Sequence, residues 1–107
     1  MAIDLLPGTV DVLILRTLAW EPMHGYGVSR SIRERSEGKL TVEGAALYQA
    51  LHRLERRRFV RAEWGVSENG RRAKYYELTI EGRRALREES ASWHAFADAV
   101  FKVLAPA

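Results

Sequence analysis

At Phe59 the spacing of apolar residues changes, and this change constrains the fold more than any other feature of the chain. Before it, Leu47, Ala50, Leu51 and Leu54 recur at intervals of three and one, the narrow stripe of a helix with one buried face. After it, Val60, Ala62, Trp64 and Val66 alternate with Arg61, Glu63 and Gly65, as in a half-buried strand. The segment "SENG" (67–70) brings an Asn-Gly turn signal, and "RRAKYYELT" (71–79) returns as the partner strand. A helix must therefore run directly into a β-hairpin.

The flanking segments are helical. In "LPGTVDVLILRTLAW" (6–20), Val10, Leu13, Ile14, Thr17 and Leu18 form one apolar face, with Pro7 suited to the start and Pro22 to the stop. "HGYGVSRSIRERSEG" (24–38) predicts a second helix, with Val28 and Ile32 inward and Gly38 closing it. Thr41 is the expected N-cap of the third helix and Thr79 that of the last. The last carries Leu86, Trp93, Phe96, Val100 and Leu104 on one broad side. The order helix, helix, helix, hairpin, helix predicts a mainly α protein with a two-stranded β wing, the winged helix-turn-helix plan. Residues 1–79 form the winged helix unit and 80–107 the C-terminal dimerisation helix, in one continuous body without repeats or linkers.

Length and composition narrow the function. A chain of 107 residues holds one modest core. With no cysteine there is no disulfide, Fe–S cluster, thiolate zinc site or thiol nucleophile. His24, His52 and His94 fall in separate elements without ligand spacing, and Ser67 has no positioned base, so no catalytic, metal or cofactor site is expected. The run "VLIL" (12–15) is too short for a membrane span and no secretion signal is evident, so a cytoplasmic location is expected. The net charge of +3 is unevenly spread: residues 53–74 hold eight basic and three acidic side chains, while the segments on either side are each net negative.

That basic window begins within the third helix. At 100° per residue its leucines face inward, and Ala45, Gln49, His52 and Arg56 face away from them, with Tyr48 and Arg53 on the shoulders. Glutamine can bond an adenine edge, alanine can touch a thymine methyl, and His or Arg can reach a base or a phosphate. Small Ala45 and Ala46 let the backbone come close to a groove, and the helix N-terminus favours a phosphate. In this plan the third helix enters the DNA major groove. Asn69, Arg71, Arg72, Lys74 and Tyr75 then form the wing that touches the backbone or the minor groove.

The segments "PGTVDVLILRTLA" (7–19), "HGYG" (24–27), "LYQALHRLE" (47–55) and "RRAKYYELTIEGRRAL" (71–86) together resemble the PadR family of bacterial transcriptional regulators. The resemblance implies a homodimeric winged helix protein that binds operator double-stranded DNA, usually as a repressor, and leaves it when a small molecule or other signal arrives. It also implies the compact branch with a single C-terminal helix contacting the partner subunit, and a DNA contact from Tyr48. Two departures stand out. Ala45-Ala46 replaces the Gly-Ser/Thr of many members, removing a hydroxyl, and Gln49 replaces a proline, adding a donor and an acceptor.

A helix over 80–104 is about 37 Å long at 1.5 Å per residue, longer than the body it leaves. Its distal residues Trp93, Phe96, Val100, Phe101 and Leu104 would form an exposed apolar surface unless a second copy covers them. Such a pair would set two recognition helices about one DNA turn apart, on a palindromic site. Trp93 either packs in the dimer core, the simpler role, or lines a cavity for a small flat aromatic or hydrophobic effector, as aromatics do in the family. The competing readings are a winged-helix protein-interaction module and a non-specific nucleic-acid binder.

Overall fold

The computed structural model describes residues 8–42 and 44–106. Its elements run α1 (Thr9–Leu18), β1 (Met23–His24), α2 (Gly25–Arg35), α3 (Gly44–Arg56), β2 (Val60–Val66), β3 (Arg72–Leu78) and α4 (Ile80–Leu104). The core lies where the first three helices meet the hairpin. Ile14, Leu15 and Leu18 of α1, Val28 and Ile32 of α2 and the leucine stripe of α3 pack together, closed by Val60, Tyr76 and Leu78. Burying such side chains contributes about 1.5–3 kcal/mol each, which holds α3 by one face and leaves its other face free.

Local chemistry sets the element ends. His24 has extended backbone and caps α2, its Nδ1 accepting from the Gly27 amide at 3.0 Å. The α3 helix closes in a Schellman motif. Phe59 N donates to Leu54 O at 3.0 Å and Arg58 N to Glu55 O at 3.0 Å, with Arg58 in the left-handed region at φ 64°. Thr79 caps α4, accepting from Gly82 N at 3.0 Å while its hydroxyl donates to Arg58 O at 2.7 Å. Gly82 lies so close to the chain after α3 that an added Cβ would sit 2.0 Å from the Phe59 carbonyl oxygen. The end of α3 and the start of α4 are thus locked together.

Several expectations needed adjustment. The first helix is shorter than residues 6–20, and Pro7 lies outside the described residues. Gly38 closes α2 together with Glu37: both have positive φ, 83° and 57°, with Gly38 N donating to Arg33 O at 2.7 Å and Glu37 N to Glu34 O at 3.1 Å. The third helix begins at Gly44, three residues beyond Thr41, so Thr41 does not occupy the capping position. The wing is joined by a third strand, with order β1-β3-β2, through the pairs Met23↔Tyr76 and His24↔Tyr75. A two-residue strand shows no periodicity, so the sequence carries no sign of it. The hairpin closes with Gly70 N donating to Ser67 O at 2.9 Å and Ser67 N to Arg71 O at 2.8 Å. Of the turn residues only Gly70 has positive φ, at 75°, a type I turn with a glycine bulge.

The last helix spans the expected residues. Gly82 and Ala85 are buried against the body, whereas Phe96, Phe101 and Leu104 are exposed. The Cα radius of gyration of 15.0 Å exceeds the roughly 13 Å expected for a chain of this length, and the long axis reaches 56 Å. The helix is the cause: its distal half projects beyond the core.

Candidate nucleic-acid interface

Ala45, Ala46, Tyr48, Gln49, His52, Arg53 and Arg56 are all exposed on α3. They do not have equal freedom. Arg53 turns back to α1, with Nη2 2.5 Å from Asp11 Oδ1 and Nε 3.5 Å from Asp11 Oδ2. The Asp11 side chain is only 10% exposed. Hydrogen bonding to this carboxylate raises the Arg53 pKa, against the opposing effect of desolvation. Arg53 thus ties α3 to α1. Tyr48 lies over the start of α2, where a Cβ on Gly25 would come within 2.7 Å of its hydroxyl, so the bare Gly25 backbone makes room for the ring.

Two faces of the hairpin do different work. Cross-strand pairs Val60↔Leu78 and Ala62↔Tyr76 lie against the core, and the same face continues outward through Trp64↔Lys74 and Val66↔Arg72. Beyond the body this face has no core left to meet. It borders an open groove of about 740 Å³ that His52, Tyr48, Trp64, Arg72 and Lys74 help line. Lys74 Nζ stands 3.6 Å from Glu55 Oε1 of α3, and the Arg72 guanidinium lies 4.4 Å over the Trp64 ring. Tyr75 occupies the opposite face, beside the His24 ring, with its hydroxyl donating to Val66 O at 3.2 Å. Asn69 and Arg71 are exposed at the tip. Among the described residues Arg56, Arg71 and Arg72 make no salt bridge, although Glu68 lines the groove together with Arg71 and Arg72.

Alternation in the sequence placed Trp64 on the core face, yet the ring is 57% exposed. The face was right; the body ends before the strand does. Its position three residues before the turn is the one sequence signal that would have suggested this.

A second surface lies on α4. Trp93 Nε1 is 3.5 Å from Thr9 Oγ1, and its ring meets Phe96 edge-on at 6.4 Å between centroids. With Gly8, Val12 and Glu89 they border a cavity of about 430 Å³. Burial raises the Glu89 pKa, helped by the Asp11 charge and opposed by Arg57. Val100 is half-buried, whereas Phe101 is 66% exposed.

Three helices, a small antiparallel sheet and an exposed helix face beside a basic wing define a winged helix transcriptional regulator. Residues 14–88 match the model of the transcriptional regulator PadR-like family, and the chain belongs to that family. It is similar to a PadR family transcriptional regulator from Eggerthella lenta DSM 2243, at 35% identity over 94% of this chain and 85% of that one, with a TM-score of 0.79. A PadR family transcription regulator from Clostridium difficile R20291 matches at 30% identity over 92% of this chain and all of the other, with a TM-score of 0.78. Uncharacterized protein X of Lysinibacillus sphaericus is 31% identical over 90 residues, 84% of this chain and 83% of that protein. Among the described residues no helix is long and apolar enough to cross a membrane.

Proposed function

We propose that the chain is a dimeric, sequence-specific repressor that lays the exposed side of α3 in the major groove of a palindromic operator and releases it on a signal. One observation carries this reading. Gln49, His52 and Arg56 are exposed on the outer side of a helix clamped by its leucines, and Arg71 and Arg72 of the wing, without a salt bridge among the described residues, share a groove with His52. Gln49 supplies the paired donor and acceptor that an adenine edge requires, Ala45 and Ala46 permit close approach, and the arginines meet phosphates. Arg53 contributes by fixing the helix through Asp11, and Tyr75 by bracing the wing.

The distal half of α4 supports the dimer. Its distal apolar residues extend past the core, and a two-fold partner laying the same helix against them covers both copies at once. The cavity beside Trp93 and Phe96 is the place for a small flat aromatic or hydrophobic effector. Titration of intrinsic fluorescence with planar aromatic compounds tests this point; an unchanged signal with unaltered DNA affinity leaves Trp93 a packing role.

The main test compares a palindromic duplex from the chain's own upstream region with random duplex at two salt concentrations. A specific regulator keeps a preference for the palindrome at both. A purely electrostatic binder shows the same steep salt dependence on each and no preference.

A further inference from the structure

We infer that Trp64 is a DNA-contacting residue, whose exposed ring takes the apolar edge of a deoxyribose while holding Arg72 in place for the adjoining phosphate. This rests on the proposed DNA-binding reading of the groove and adds to it a residue that is neither on the recognition helix nor charged.

Four observations meet at this side chain. The ring belongs to the hairpin face that buries Val60 and partly buries Ala62, yet it lies where that face has left the body and is 57% exposed. It borders the groove between α3 and the wing, with Tyr48 and His52 on the other wall. Arg72 covers it, with the guanidinium 4.4 Å from the ring centre, an arrangement that restricts an otherwise flexible cation without neutralising it. Its cross-strand neighbour Lys74 is paired with Glu55, so the cation left beside the ring for a phosphate is Arg72. A large apolar ring left in water is unfavourable to the free protein, and a basic groove has little use for one unless its occupant is both anionic and partly apolar. A sugar-phosphate strand is both: its charge faces the cations and its deoxyribose carbons face the ring. Stacking or sugar contact by such rings is sequence-tolerant, so Trp64 adds to affinity while Gln49 and its neighbours discriminate.

The experiment uses the full chain and a fluorescein-labelled random duplex of about 30 base pairs, with affinity read by anisotropy over a salt series and thermal melting as a check on folding. Trp64→Ala is expected to weaken binding about tenfold, in line with the worth of a base–aromatic contact. Most of that loss should persist at high salt because the sugar contact is apolar, only the share due to the released Arg72 shrinking. Trp64→Phe should retain most of the affinity. Arg72→Ala, in contrast, should give a loss that shrinks as salt rises, flattening the slope by about one unit. If the wild-type chain binds the duplex and a folded Trp64→Ala variant binds it equally well, the inference fails while the DNA-binding reading stands. A Trp64→Phe variant as weak as Trp64→Ala also overturns it, because a sugar contact needs only an aromatic face. If the wild-type chain binds neither this duplex nor the upstream palindrome, the proposed function and this inference fall together.

Discussion

Individual side chains on this protein divide by whether their partners lie within the chain. Arg53 and Lys74 already face Asp11 and Glu55, whereas Gln49, His52 and Arg56 are free for a ligand. Gln49→Ala should therefore cost about 1–3 kcal/mol on the preferred duplex and relax one base position, with little effect on random DNA, as a binding-site selection would reveal. Glu89 gives a pH-dependent expectation. Burial raises its pKa above the ordinary carboxylate value, so in the window between the two the folded chain holds more protons than the unfolded one. Stability should fall as pH rises through that window. Glu89→Gln should remove this loss, seen as a higher urea midpoint at neutral pH and a flatter profile in mildly acidic buffers.

Among the elements, the joint between α3, β2 and α4 decides how α3, the proposed recognition helix, is held. Gly82 has no space for a side chain, since the obstacle is the Phe59 backbone and not a movable group. Gly82→Ala should cost about 3 kcal/mol or more in a denaturant titration, at the upper end of overpacking effects. Arg58 sits in the left-handed position that glycine favours after a helix. Arg58→Gly should stabilise the fold by about 0.5–1 kcal/mol in the same assay, because relief of the left-handed strain outweighs the extra freedom of the unfolded chain. The wing owes its placement to a neighbour as well. β1 pairs with β3 immediately before His24 caps α2, so one residue ties the hairpin to the helix preceding α3.

At the scale of the molecule, the long α4 separates the two tasks. Its first half closes the DNA-binding unit, and its second half, with Phe101 and Leu104 exposed, is where the proposed dimer forms. The double variant Phe101→Ser and Leu104→Ser should leave the melting of the winged unit nearly intact. It should shift the chain to monomer in sedimentation experiments and weaken binding to a palindromic duplex by about a hundredfold, through loss of the linked second half-site. A monomeric wild-type chain would remove the basis for the palindrome.

Much of this architecture was legible in the residues because periodicity reports burial directly. The leucine stripe of α3, the outward positions opposite it, the Thr79 cap and the full length of α4 were all readable, since each depends on neighbours a few positions away. Other features depend on contacts distant in sequence. Asp11 and Arg53 are 42 positions apart, β1 is too short for any pattern, and the exposure of Trp64 depends on where the body ends and not on which face the strand presents. Local sequence determined which side of each element seeks a core; only the tertiary packing decided how far that core extends, and hence which core-facing side chains lie in the groove.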